Sequence, residues 1–145
     1  MRHRMILGVS SLVLILGLAL STPAAGVRAD ESTQTSQAGA VTIKATWQGP
    51  SVGPTFTVVL DTHAVNLDSY DLAQLAVLRT DQDVEVAPSS WDAPAGGHHR
   101  QGTLSFPTTT ADGSPLITPE TQVLRLSIRE VGGISETVLQ WTLSS

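Results

Sequence analysis

The chain has 145 residues, no cysteine, and a formal net charge of −5 from thirteen acidic and eight basic residues. The absence of cysteine excludes disulfides, thiolate metal sites and the lipid-attachment cysteine of a bacterial lipoprotein. The basic residues beyond position 29 are scattered singly. Nucleic-acid binding needs clustered lysine and arginine, so we expect no nucleic-acid partner.

The first 29 residues have the order of a secretory signal peptide. Arg2 and Arg4 precede an uncharged apolar run over 5–20, and small residues ending at Ala29 follow it. The run is shorter than the ~20 apolar residues that span a bilayer, so we expect cleavage after Ala29 and no stable membrane insertion afterwards. Cleavage would leave five basic and thirteen acidic residues, a net charge of −8. We therefore predict a secreted or periplasmic protein.

The remaining chain divides into a short leader and one domain. Residues 30–40 are polar and lack an apolar period, which predicts a flexible leader. A period of two then predicts strands at 41–47 and 55–61, separated by a segment rich in glycine and proline. Residues 63–73 follow neither a strand nor a helix period and predict a long crossover with one helical turn. The predicted β-sandwich domain covers 41–145.

Further strands are predicted in the second half of the chain. Residues 75–79 and 84–86 flank a cluster of turn formers and predict a hairpin, and 102–106 predicts a short strand. The clearest local prediction is a terminal hairpin of 123–131 and 134–143, joined by Gly132-Gly133. Its predicted pairs are Val131 with Ile134, Arg129 with Glu136, Leu126 with Leu139, Arg125 with Gln140 and Leu124 with Trp141.

These elements together predict the fold class. About seven short strands, with frequent turns and no convincing helix, are typical of an all-β antiparallel sandwich of immunoglobulin-like topology. A small β-barrel is the alternative. The usual immunoglobulin disulfide is impossible without cysteine, and tryptophans could fill the space between the sheets instead.

Histidines provide the candidate site. Two of the three beyond the signal peptide are adjacent in the run Gly96-Gly97-His98-His99-Arg100, and the third, His63, follows Asp61 by two positions. Residues two apart on a strand share a face, so Asp61 and His63 point the same way if the strand continues through 63. Imidazole and carboxylate suit Zn(II) or Cu(II). We predict a divalent-metal site of His63, His98 and His99, with Asp61 as fourth ligand or as a residue that orients them.

A structural role for the same residues is the competing hypothesis. Gly96-Gly97 would form a tight turn, and a histidine would bond to loop backbone or to Asp61 and so brace the loop against the sheet. Neighbouring histidines on an extended chain face opposite ways, so His98 and His99 are not expected to bind one ion together. Neither Gly-x-Ser-x-Gly nor His-Glu-x-x-His occurs in the sequence, and we predict no enzymatic activity.

Two resemblances accompany these inferences. The stretch from Phe56 to Leu78, with Trp91, the Gly96–Arg100 run and Gly102, resembles a group of uncharacterised secreted bacterial proteins, which implies a β-sandwich but no activity. The signal peptide, size and all-β character are similar to periplasmic copper carriers of the CopC type. The metal site of that family is a histidine brace at the mature N-terminus, whereas cleavage here would expose Asp30.

The sequence thus predicts a secreted or periplasmic, non-enzymatic accessory or binding module with a Zn(II) or Cu(II) site. Its expected partner is a metal ion or an unidentified protein. The alternative is a purely structural or protein-interaction domain in which the histidines only brace loops.

Overall fold

The computed structural model describes residues 32–143, and the predicted signal peptide over 1–29 lies outside them. Two antiparallel sheets account for nearly all of the regular structure. The strands are β1 (Thr33–Ala38), β2 (Val41–Trp47), β3 (Thr55–Thr62), β4 (Ala76–Thr80), β5 (Glu85–Val86), β6 (Ser90–Asp92), β7 (His99–Ser105), β8 (Val123–Val131) and β9 (Ile134–Thr142). The predicted all-β antiparallel sandwich is confirmed, with nine strands among the described residues rather than about seven.

The two sheets are open rather than closed into a barrel. The first has the strand order β1-β2-β3-β7-β6 and the second has the order β5-β4-β8-β9. The barrel alternative is therefore wrong. The two strands beyond the predicted seven are β1 and β6, which both lie at edges of the first sheet.

Strand β1 corrects the prediction of a flexible leader over 30–40. Residues 33–38 pair along their whole length with β2, from Thr33 opposite Thr46 to Ala38 opposite Val41. The two threonine hydroxyls at the start of this register lie 2.8 Å apart, within hydrogen-bonding distance. An edge strand is held by backbone pairing to one neighbour, so its outer side chains can be polar. Residues 33–38 therefore lack the alternation of apolar residues from which the other strands were predicted.

The terminal hairpin has the predicted register. Val131 pairs with Ile134, Arg129 with Glu136 and Leu124 with Trp141. Both turn glycines have positive φ, +60° at Gly132 and +76° at Gly133, as a two-residue turn of type I′ requires. The hairpin prediction is confirmed because side-chain alternation and turn chemistry both demanded the same pairing.

The core lies between the inner faces of the two sheets. Phe56 on β3 contacts Trp141 on β9 and Phe106 beyond β7, with ring centroids 4.9 Å and 5.9 Å apart. The indole nitrogen of Trp141 donates to the Ser32 carbonyl at 2.7 Å, so the buried ring keeps a hydrogen bond. These contacts join the two sheets through aromatic packing.

The crossover between β3 and β4 contains a 3-10 turn, Leu67–Ser69, and one helical turn, α1 (Leu72–Leu75). Leu67 and Leu72 are fully buried, so the crossover covers one end of the core. The predicted helical turn is present, and it takes in Leu75, which the sequence had assigned to the following strand. Among residues 32–143 no helix is long and apolar enough to cross a membrane.

Candidate functional site

Asp61 and His99 face each other across two paired strands. Strand β7 begins at His99 rather than at Gly102, and this places His99 directly opposite Asp61 on β3. Nδ1 of His99 lies 3.0 Å from Oδ1 of Asp61, and the two side chains are 64% and 53% exposed. The fold therefore brings together two of the four predicted metal ligands, on the solvent side of the first sheet.

The other two histidines have different surroundings. Strand β3 ends at Thr62, so His63 lies in a bend after it and does not continue the face of Asp61. His98 contributes its backbone carbonyl, which accepts from the Thr62 amide at 3.0 Å. Within the described part of the chain, no three His, Asp or Glu side chains gather where they could hold a metal ion. The predicted four-ligand arrangement is not assembled in this structure.

Arg100, next to His99, has the densest set of polar contacts at this end of the sandwich. It pairs with the fully buried Leu60, so its side chain emerges on the inner side of the sheet. The guanidinium donates to four backbone carbonyls: Nε to Pro94 at 3.2 Å, Nη1 to Leu67 at 3.2 Å and to Tyr70 at 2.8 Å, and Nη2 to Ala93 at 3.2 Å. Its carbon Cζ also lies 5.7 Å from the ring centroid of Trp91, within the range of a cation–π contact.

These bonds define a loop cluster, residues 67–70 and 93–100, that Arg100 holds together. The rigid planar fork of an arginine suits this task because its five N–H groups can reach several carbonyls at once. Segments that are distant in the chain are thereby fixed to the start of β7.

Asp68 provides the reciprocal contact within the loop cluster. Its Oδ1 accepts from the backbone amides of Gly96 at 2.8 Å and Gly97 at 3.1 Å. These amide hydrogen bonds hold the pKa of the Asp68 carboxyl below its ordinary value of 3.8. Leu67 adds a backbone bond, donating its amide to the Gly97 carbonyl at 2.7 Å. Two charged side chains therefore hold the loop cluster together: Arg100 donates to backbone carbonyls, and Asp68 accepts from backbone amides.

The two glycines of the histidine run are required by this geometry. Gly97 has φ +62°, and a Cβ on Gly96 would overlap the carbonyl oxygen of His99. The His99 amide donates back to the Gly96 carbonyl at 3.1 Å. The tight turn proposed for Gly96-Gly97 is therefore present.

A tyrosine connects the loop cluster to the second sheet. The Gly132 amide, in the β8–β9 turn, donates to the Tyr70 hydroxyl at 3.1 Å, while the Tyr70 carbonyl accepts from Arg100. One residue thus connects the terminal hairpin with the arginine of the first sheet.

Arg100 and Asp68, which organise the loop cluster, were not predicted in that role from the sequence. A signal for Arg100 was available, because counting back by twos from the core residue Leu104 through Gly102 places Arg100 on the core-facing side. A cation at a core-facing position must find acceptors. No comparable signal exists for Asp68, whose partners are backbone amides 28 and 29 residues away.

A cavity of about 410 Å³ lies at the opposite end of the sandwich. It is lined by Pro50, Gly53, Pro54, Thr108, Ile117, Thr118 and Pro119. This lining has a concave shape but offers no acid or base for chemistry.

Comparison of the chain with protein-family profiles, with curated proteins and with solved structures finds no match. The resemblances noted from the sequence therefore remain predictions, and the site has to be interpreted from its own geometry.

Proposed function

We propose that the protein is an exported, non-enzymatic β-sandwich binding module in which the Gly96–Arg100 run braces a loop cluster. The observation that carries this proposal is the use of Arg100, whose three guanidinium nitrogens all donate to backbone carbonyls. A guanidinium occupied in this way stabilises the fold and is not available to a ligand.

Two further features support a bracing role. Asp68 is occupied by two backbone amides, and the His98 carbonyl continues the pairing of β3 with the loop. The chemistry-bearing side chains of this end therefore mostly act on the protein's own backbone. A rigid scaffold with fixed loops is the usual basis of a binding domain.

Binding of Zn(II) or Cu(II) is the second candidate function, and the contact of Asp61 with His99 favours it. A carboxylate next to one imidazole nitrogen can orient the ring so that the other nitrogen faces a metal ion. The pair is exposed, so an ion would need its remaining ligands from solvent, from a moving His63 or His98, or from a partner.

Thermal unfolding with and without metal separates the two functions. Bracing predicts that stoichiometric Zn(II) or Cu(II) leaves the melting temperature of the purified protein unchanged. A metal site predicts a rise that is lost in His99→Ala and His63→Ala variants. The matched control is Gln101→Ala, which removes an exposed side chain next to the run.

Export is tested separately with a reporter. Residues 1–29 fused to a phosphatase that becomes active only outside the cytoplasm should give activity. Replacing Leu14 and Leu16 with arginine should abolish it, because charges interrupt the apolar run that the export machinery recognises. Equal activity with and without the arginines would contradict export through this segment.

A further inference from the structure

The outer face of the second sheet carries an unusual share of the chain's positive charge. Three of the five basic residues beyond position 29, namely Arg79, Arg125 and Arg129, project from β4 and β8 on this side. They line a shallow depression of about 140 Å³ together with Val77, Glu85, Ser127, Glu136 and Val138. We call these eight residues the arginine face.

The strand register arranges the arginine face in three rows. The first row runs Glu85, Arg79, Arg125, Gln140 across four strands, and the second runs Val77, Ser127, Val138. The third row pairs Arg129 with Glu136, with Nε and Oε1 4.0 Å apart. A middle row with valine at both ends and Ser127 between them, in which Val138 is 47% exposed, thus lies between two rows that contain arginine.

Charge in the first row is not balanced. Arg79 forms an ion pair with Glu85, but it also lies directly opposite Arg125. Like charges at opposed positions of an antiparallel pair are destabilising. Arg125 bonds through Nε to Gln140 Oε1 at 3.0 Å, and among residues 32–143 neither of its Nη atoms has an acceptor. The carboxylate of Asp81 lies beyond the row, within electrostatic range of Arg125, and bonds the backbone amides of Gln122 and Val123.

A free pair of Nη groups is the arrangement that binds a carboxylate with two parallel hydrogen bonds. The spacing along β8 adds a second constraint. Arg125 and Arg129 are four residues apart on one face, which is roughly 13 Å at the ~3.3 Å rise of a strand. An extended segment with acidic residues at positions i and i+4 spans the same distance, and its residue i+2 then lies over Ser127, between Val77 and Val138.

We propose that the arginine face docks a partner protein through an extended segment of the form acidic-x-apolar-x-acidic. Charge complementarity carries the choice of occupant, because the chain beyond position 29 has a net charge of −8 while the eight residues of this face include three guanidiniums and two carboxylates, with Asp81 at their border. Arginine beside an exposed apolar side chain is also a composition that protein interfaces favour. The inference rests on the proposed role as a binding module and names the chemistry of its partner.

The test is a titration of the purified protein with the blocked peptide Glu-Ser-Val-Ser-Glu, followed by backbone amide NMR shifts. Binding should shift the amide resonances of Val77, Ser127 and Val138, and Arg125→Gln should raise the dissociation constant of the peptide roughly tenfold. The matched control is Lys44→Gln, which removes an equal charge from an exposed position on the other sheet. A peptide with the same composition in the order Glu-Glu-Ser-Val-Ser should bind more weakly.

Several results would overturn the proposal. They are the absence of shifts at millimolar peptide, equal binding of the reordered peptide, an equal effect of Lys44→Gln, and shifts confined to the loop cluster. Binding of a sulfated polysaccharide but not the peptide, or a dimer that Arg125→Gln dissociates, would assign the face to another occupant and contradict it as well. The metal titration gives its answer whether or not the peptide binds, so the two proposals can fail separately.

Discussion

The loop cluster and the arginine face each contain arginine on a central strand, but the two regions use it in opposite ways. Arg100 emerges on the inner side of its sheet and donates to four backbone carbonyls. Arg125 emerges on the outer side of the other sheet, opposite a second arginine, and bonds one glutamine. The side of the sheet therefore decides whether the guanidinium forms its hydrogen bonds within the fold or remains exposed on the surface.

The difference also separates stability from recognition. A half-buried guanidinium without acceptors would be costly, so the carbonyls around Arg100 and the cation depend on each other. An exposed guanidinium remains solvated without protein acceptors, and its ion pairs contribute little to stability. Substitutions in the loop cluster should therefore reduce stability, while substitutions on the arginine face should leave it almost unchanged.

The largest effect is expected at the β8–β9 turn of the terminal hairpin, where the Gly132 amide bonds to Tyr70 of the loop cluster. A Cβ on Gly132 would overlap the carbonyl oxygen of Ala38, and φ there is +60°. Gly132→Ala should lower the free energy of unfolding by about 4 kcal/mol, from left-handed strain and a forced backbone shift. Gly133→Ala is the matched control, because φ is +76° but its Cβ meets open space. We expect about 1 kcal/mol for it, and equal losses in urea unfolding would show that the close approach is not tight.

Removal of the guanidinium from the loop cluster comes next. Arg100→Gln should lower the free energy of unfolding by about 3 kcal/mol, because one amide cannot replace donors to four carbonyls, three of them in partly buried hydrogen bonds. Arg100→Lys should lose nearly as much, since an ammonium on a flexible stem lacks the planar fork. Amide hydrogen exchange should show the loss first at Leu67 and Gly97, which bond within the cluster. A loss spread evenly over both sheets would argue against a local brace.

The carboxylate of the loop cluster should give a smaller effect that depends on pH. The pKa of Asp68 is depressed in the folded protein by the amides of Gly96 and Gly97. Its ionised form therefore stabilises the fold above the ordinary pKa of 3.8, and this contribution is lost as pH falls through the lower folded value. Asp68→Asn should melt a few degrees below the native protein near neutral pH, and the gap should close as the pH falls below 3.8 and through the lower folded pKa.

Melting curves across this pH range measure both the sign and the size of the difference in melting temperature between Asp68→Asn and the native protein. The control is Asp83→Asn, which changes an exposed carboxylate in the β4–β5 turn, outside the loop cluster. A gap between Asp68→Asn and native protein that widens on acidification would contradict the assigned role.

Features of the fold that depend on residues close together in the sequence could be predicted, whereas those that depend on distant segments could not. The register of the terminal hairpin was predicted correctly, because alternation over 123–131 and the glycine pair fix it locally. Strand β1 was missed because its stability comes from backbone pairing with β2, which its polar side chains do not announce. The pairing of Asp61 with His99 depended on where β3 ends and where β7 begins, a matter of one to three residues. The same small difference removed His63 from that face.

The smallest expected effect is on the arginine face, and it completes the comparison with the loop cluster. Arg125→Gln should change the free energy of unfolding by no more than about 0.5 kcal/mol, since the side chain is on the surface and its removal relieves repulsion with Arg79. Paired urea unfolding of Arg125→Gln and Arg100→Gln measures the same substitution on both sheets. If the two variants lose equal stability, both arginines stabilise the fold, and Arg125 is not a free cation on the arginine face. If only Arg100→Gln is destabilised, a loss of peptide binding by Arg125→Gln cannot be attributed to unfolding, and it reports on the surface itself.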